Sequence, residues 1–350
     1  MALLPLPAGS GPEGDPYRSG DWSYDPDPNE VAARAAAWRS RHDLTPATED
    51  KTRRVLLLVD EQRDFCLPEG ALYVGGRSGR GAVEDTNRIV RYIYRNLGNL
   101  TEIASSLDSH TPQQIFFSSF WVDASGNQLD SYREVLASEI EAGEAAPNPA
   151  LAGWFGDGSH DWLRRQALDY CRRLEATGKY RLYLWPPHCF LGSEGHGLVG
   201  AVQEARLFFG YARSAETPIL IKGTNPLTEY YSVLAPEVLV RHDGEKLDRR
   251  NQALIDRLLG ADTVIVAGQA ASHCVRHTVD DLLGEMASRG LSPRRLHILA
   301  DCMSAVAVPD PATPGEFLAD FTPEVEASMK RWQEAGVHIG HSGDDASDWV

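Results

Sequence analysis

The sequence predicts an α/β protein: a mostly parallel sheet with helices on both faces, preceded by an N-terminal arm and interrupted by a helical insertion. Two observations carry this. Residues 55–59 and 263–267 are short, continuous apolar runs, the mark of strands buried on both faces. Between such runs lie segments with apolar residues at helical spacing, such as Val83, Val90, Ile93 and Leu97, and strands that alternate with helices imply βαβ units.

Taken in order, residues 1–50 read as an arm. Residues 9–27 are rich in Gly, Pro, Ser and Asp and cannot bury enough apolar surface to order alone, and an alanine-rich helix over 28–42 follows. The main domain then spans 51–350. It contains strands at 55–59, 103–107, 218–221, 263–267 and 296–299, the first, third and fourth expected to be buried. Helices are expected at 249–259, 273–288 and 323–334. Residues 126–180 break the rhythm with two predicted helices, 129–142 and 160–176, around a loose stretch, and are expected to insert at the sheet's carboxyl edge.

The bulk properties exclude several classes of function. A formal net charge of -16 with no basic block argues against nucleic acid. No apolar run is long enough to span a bilayer, and Met1 to Pro7 lacks the basic region of a secretory signal. Five scattered cysteines with no Cys-x-x-Cys pair do not form a disulfide framework, so reduced thiols and a cytoplasmic setting are expected. The arm suggests a packing element for the main domain or for another subunit of a homo-oligomer.

Chemistry concentrates at strand ends. After the strand at 263–267, a Gly- and Ala-rich turn leads to Cys274 in the first turn of a helix. Unpaired N–H groups there are expected to favour a thiolate, lower its pKa and cradle an oxyanion. Asp60 follows the first strand directly, where a carboxylate is costly unless paired or used, and is a candidate general base. Asp64 fits a turn role better. Lys222 ends a third strand and can neutralise a buried carboxylate. Asp108, His110 and, after another strand, His188 offer oxygen and nitrogen ligands for a divalent metal, with zinc the first expectation and manganese or iron the alternatives. His196, His273 and His277 read as structural, Cys66, Cys189 and Cys302 as small apolar residues, and Arg276 with Asp280 as a surface ion pair.

Five motifs in this order resemble the nicotinamidase/isochorismatase-like cysteine hydrolases. They are Asp60-Glu61-Gln62-Arg63-Asp64-Phe65 with Gly70-Ala71-Leu72-Tyr73-Val74-Gly75-Gly76, then Asp108-Ser109-His110, Trp185-Pro186-Pro187-His188, Lys222-Gly223 and Ser272-His273-Cys274-Val275. The resemblance runs from about residue 54 to the C-terminus. It implies a Cys274 nucleophile, Asp60 as proton acceptor and Lys222 beside it. It further implies an oxyanion hole from the Ala270 and Cys274 N–H groups, with a cis Gln269–Ala270 peptide, and a metal on Asp108, His110 and His188. Phe65 and Trp185 would flank an aromatic substrate, with Tyr231 a further contact. The implied reaction takes nicotinamide or a related carboxamide to acid and ammonia through a thioester. The departures are Phe116 at the place of a further histidine ligand, Ser272 where many relatives carry Asp, the insertion, and an unusual loop after Lys222. A same-fold amidase acting on a ureide, carbamoyl or maleamate-type substrate is the second reading, and a non-catalytic ligand-binding homologue the third.

Overall fold

The computed structural model describes residues 3–9, 11–156, 158–178 and 180–346. Six strands form its central sheet: β1 (Arg54–Val59), β2 (Glu102–Asp108), β3 (Ile219–Lys222), β4 (Thr263–Gly268), β5 (Leu296–Leu299) and β6 (His338–Gly340). They lie in the order β6-β5-β4-β1-β2-β3, every neighbouring pair parallel. The main helices are α1 (Pro28–Arg41), α2 (Gly81–Arg95), α3 (Gly200–Arg213), α4 (Gln252–Leu259), α5 (Cys274–Ser288) and α6 (Thr322–Ala335).

The continuous apolar run of β1 is explained by its two buried faces. Leu56 and Leu58 enter one core with Ile89, Ile93, Phe208 and Phe209 of α2 and α3, whereas Val55, Leu57 and Val59 enter another with Leu254, Leu258, Val275 and Leu282 of α4 and α5. Side chains alternate along a strand, so one uninterrupted hydrophobic string feeds both layers. The arm joins the first core through Tyr17, Val31, Ala35 and Leu44, and α1 packs against α3. Arg213, fully buried at the end of α3, ties the arm down by donating to Thr45 O (2.7 Å) and pairing with Asp50 (2.5 Å).

Three expectations need correction. Residues 129–142 are not one helix. Arg133–Val135 is a strand paired antiparallel with Leu182–Leu184, Tyr132 before it sits at φ +64°, and only Ala137–Ala142 is helical. Cross-strand pairing overrides the local pattern there. β3 is an edge strand rather than a buried one, with Ile219 38% and Ile221 50% exposed, though Lys222 at its end is buried. Asp280 turns away from Arg276 to Arg331 (2.9 Å) and the Trp332 indole (2.7 Å), because α6 lies closer than the helix's own neighbour. Several elements were not anticipated: α3, whose pattern is weakened by Gly200 and Gly210, β6, a hairpin of Ala307–Pro309 with Phe317–Asp320, and the strand pair Trp121–Asp123 with Ala145–Pro147. Among the described residues no helix is long and apolar enough to cross a membrane.

The sheet's connectivity locates the site. From β1 the chain moves outward to β2 and β3, then returns to the other side of β1 as β4. At such a reversal the loops leaving two adjacent strands diverge and open a crevice beyond their carboxyl ends. Asp60 leaves β1 at that point, and the Gly268–Cys274 loop leaves β4.

Candidate active site

The three predicted strand ends converge. Lys222 Nζ lies 2.9 Å from Asp60 Oδ2, 3.0 Å from Asp108 Oδ1 and 3.6 Å from Cys274 Sγ, and donates to Tyr230 O at 2.8 Å. All four side chains are buried, Cys274 at 6% exposure lining a small cavity. Asp60 takes a left-handed backbone conformation, φ +49°, which Asp tolerates better than most residues. Its carboxylate accepts from Ser106 Oγ at 2.6 Å. Sequence reasoning missed Ser106, which sits inside β2 with no local signal.

Local backbone demands set this geometry. Gly268 closes β4 at φ +119°, and a Cβ there would stand 2.1 Å from Val59 O, so only glycine lets β4 turn beside β1. The Gln269–Ala270 peptide is cis. Cys274 is the first residue of α5, and among the described residues neither the Ala270 nor the Cys274 N–H donates to a protein acceptor. Two unsatisfied backbone donors beside a sulfur are the elements of an oxyanion hole.

The electrostatics correct one expectation. The Cys274 thiol is not depressed: burial pushes it well above its ordinary value, Asp60 and Asp108 add to the rise, and only Lys222 pulls it down. Burial, the largest of these influences, disfavours the charged thiolate. Asp60 is likewise pushed up, by burial first and Asp108 next, against Lys222 and Ser106. Burial pulls Lys222 down, but the Asp108 and Asp60 carboxylates outweigh it and hold the ammonium charged. The resting arrangement is a neutral thiol beside a charged Lys222 and a carboxylate made more basic than usual.

A second constellation adjoins the first. His110 Nε2 is 2.9 Å and His188 Nε2 3.9 Å from Asp108 Oδ2, and the three ligand atoms lie within 4.8 Å of one another. Each imidazole donates its other nitrogen to a backbone carbonyl, His110 Nδ1 to Gly223 O (3.1 Å) and His188 Nδ1 to Pro186 O (2.8 Å). With Nδ1–H donated in this way, each Nε2 is left as a lone pair on the side of Asp108, the arrangement metal-ligating histidines use. Burial, with His110 adding, pulls His188 down to about 4, so its imidazole is neutral at neutral pH and free to serve as a ligand. This donor set fits a divalent cation, and oxygen with nitrogen ligands suits zinc, manganese or iron alike. Asp60, Asp108 and Cys274 also lie within 4.8 Å, but the Lys222 ammonium already stands among them. Phe116, at the place of a further ligand, instead packs edge-on against His110 (4.9 Å).

Gln62 clamps Asp108, accepting from its N–H (2.7 Å) and donating to its carbonyl (2.8 Å). Asp64 accepts from Ala71 N and Cys189 N (3.0 and 2.7 Å), a turn role that also fixes the His188 loop. The cavity is tight, with a volume of about 30 Å³. Phe65, Trp185 and Tyr231 line it, with the Trp185 indole donating to Tyr231 Oη at 2.8 Å. Leu72, Val74, Val306 and Glu229, not singled out from the sequence, line it too, as does His273, which the sequence reads as structural. Leu72 and Val74 stood in the Gly70–Gly76 motif, and Glu229 in the unusual loop. Burial pushes the Glu229 carboxyl well above its usual value, and its Oε1 accepts from Tyr230 N at 2.9 Å.

The yeast nicotinamidase Pnc1p bound to the inhibitor nicotinaldehyde superposes with a TM-score of 0.51 at 16% identity, covering 82% of this chain and 99% of that one. The chain carries the nicotinamidase/isochorismatase-like fold. An Acinetobacter baumanii nicotinamidase/pyrazinamidase aligns at 18% identity and a TM-score of 0.49, covering 86% of this chain and 100% of that one. Neither a protein-family model nor a curated protein matches the sequence. At these identities the nicotinamidase/isochorismatase-like fold is what is shared, and the chemistry rests on the residues above.

Proposed function

We propose that the chain is a cysteine-dependent amidohydrolase that converts nicotinamide, or a small aromatic carboxamide like it, to the acid and ammonia. One observation supports this above all. A thiol, a basic carboxylate and an ammonium meet within 3.6 Å of Lys222 Nζ at the floor of a small, largely apolar cavity.

In this reading Asp60 accepts the Cys274 proton as the sulfur attacks the carbonyl carbon, so the costly buried thiolate never accumulates. The carbonyl oxygen takes up the electron pair and is held by the Ala270 and Cys274 N–H groups. Collapse breaks the C–N bond, and Asp60 returns the proton to the leaving nitrogen, which departs as ammonia. A water that gives its proton to Asp60 then attacks the thioester, and the sulfur leaves and is reprotonated as the acid is freed. Lys222 keeps Asp60 ionised between these transfers. Asp108, His110 and His188 would hold a divalent metal, which when bound supplies a Lewis acid for a lone pair on the substrate ring. Phe65 and Trp185 supply flat apolar walls, and Tyr231 holds Trp185 in place.

The test is ammonia release from nicotinamide by the purified chain. Cys274→Ala is expected to abolish it, and full activity in that variant ends the proposal. A chain that releases no ammonia from nicotinamide, with or without added zinc, but does so from a ureide, carbamoyl or maleamate-type amide moves the substrate to that class.

A further inference from the structure

Behind the oxyanion loop lies a buried carboxylate that none of these steps uses. Asp85, in the second turn of α2 and 2% exposed, accepts through Oδ2 from Gln269 Nε2 (3.1 Å) and from Ser304 Oγ (2.6 Å). Its Oδ1 accepts from Arg88 at 2.8 Å, and Arg88 also donates to the Asp301 carbonyl. Gln269 is therefore gripped at both ends of its amide, since its Oε1 accepts from Ser304 N at 3.2 Å. Ser304 O in turn accepts from Ala271 N at 2.8 Å. The two residues flanking Ala270 are thus both tied to one framework of Asp85 and Ser304. That framework comes close only because Gly81 starts α2: a Cβ there would meet Ser304 Oγ at 2.4 Å.

We propose that Asp85 is a positioning residue for the oxyanion hole, its carboxylate setting the direction of the Ala270 and Cys274 N–H groups through Gln269 and Ser304. This rests on the reading of Cys274 as nucleophile. A charge-assisted bond to each partner holds the loop more stiffly than neutral contacts would. Donors fixed before reaction need no reorganisation as charge develops, and losing one such donor outright costs about 10²–10³-fold in turnover. A loosened loop should cost less than a deleted donor.

The experiment compares wild type, Asp85→Asn, Ser304→Ala and Cys274→Ala by three readouts. The first is kcat and KM for nicotinamide. The second is binding of pyridine-3-carbaldehyde, whose carbonyl adds the Cys274 thiol: the C–S bond forms, the C=O π bond breaks, and the oxygen enters the hole and takes the proton. The third is alkylation by iodoacetamide, in which sulfur displaces iodide and no oxyanion forms. The Cys274→Ala background is subtracted from the last two.

For Asp85→Asn the expectation is a fall in kcat of about 30-fold with KM within about threefold, by analogy with a partly lost donor. Aldehyde affinity falls by a similar factor and alkylation stays within about twofold. Ser304→Ala gives about 3–10-fold in the same pattern and decides alone should Asp85→Asn fail to fold. Folded variants with wild-type kcat overturn the inference, as does alkylation falling in step with kcat, the mark of general collapse. A wild-type chain that neither turns over nor binds the aldehyde through Cys274 overturns the nucleophile reading and this one with it. A normal wild type with insensitive variants overturns only this one.

Discussion

Lys222→Met removes the ammonium but keeps most of the volume, so it isolates the electrostatic role. In the folded chain Nζ stands 2.9 and 3.0 Å from two carboxylates that are themselves within 4.8 Å of each other. At an effective dielectric of about 20, two charges that close repel by about 3.5 kcal/mol. In the metal-free chain, without the ammonium, that repulsion is uncompensated, and burial already pushes Asp60 toward its neutral form. Asp60 then keeps a proton at neutral pH and cannot accept one from Cys274. With ~1.4 kcal/mol per factor of ten, kcat/KM should fall at least ~300-fold, and about 10³-fold once the lost contact to sulfur is added. Removing one partner of a buried charge pair also costs about 3–5 kcal/mol of stability. The assay is ammonia release at pH 7 beside a thermal melt. A variant retaining more than a tenth of wild-type kcat/KM with an unchanged Tm would refute the reasoning.

Two further outcomes follow from other features. Glu61, fully buried, accepting from Thr86 Oγ1 (3.0 Å) and Cys66 Sγ (3.7 Å), is pushed from its usual 4.5 up to about 8 by burial first and Asp85 second. The folded chain keeps the Glu61 proton where the unfolded chain has released it. Its contribution is therefore fully present below pH 4.5 and is lost as pH rises toward 8, by up to about 5 kcal/mol. Glu61→Gln should accordingly raise Tm at pH 8 relative to wild type and lose that advantage near pH 4.5, and equal Tm differences at both pH values would contradict it. Gly223→Ala places a Cβ 2.6 Å from Asp108 Oδ1 and 2.8 Å from His110 Cε1 at a residue with φ +80°. Metal content measured after dialysis against zinc should fall well below that of wild type, and an undiminished content would show that these side chains do not hold the ion.

The legibility of the site in the sequence followed from backbone constraints. Asp60, Lys222 and Cys274 each lie at or just beyond the end of a strand, and a strand end in a parallel sheet can point to only one edge. Gly268 and Gly223 are visible for the same reason, since each marks a place where the chain must turn close to another strand. Residues that act from within elements left no trace. Ser106 reaches Asp60 from the middle of β2, and Asp85 reaches Gln269 from a helix turn indistinguishable from any polar face. The acidity of Cys274 was misjudged because a helix N-terminus is legible in one dimension, whereas desolvation by the surrounding protein is not.

The alternation of apolar runs with amphipathic segments determined the layered α/β class and the positions of the buried β1 and β4, because burial on two faces demands a recognisable composition. What only the tertiary structure decided was lateral order: which strand stands at the edge, which side of β1 receives β4, and which long-range partner claims Asp280 or Arg133–Val135. Those choices depend on contacts between residues 50 to 200 positions apart, whose energies no local pattern encodes. They place the Lys222 ammonium between two carboxylates and a thiol, and that placement carries the proposed chemistry.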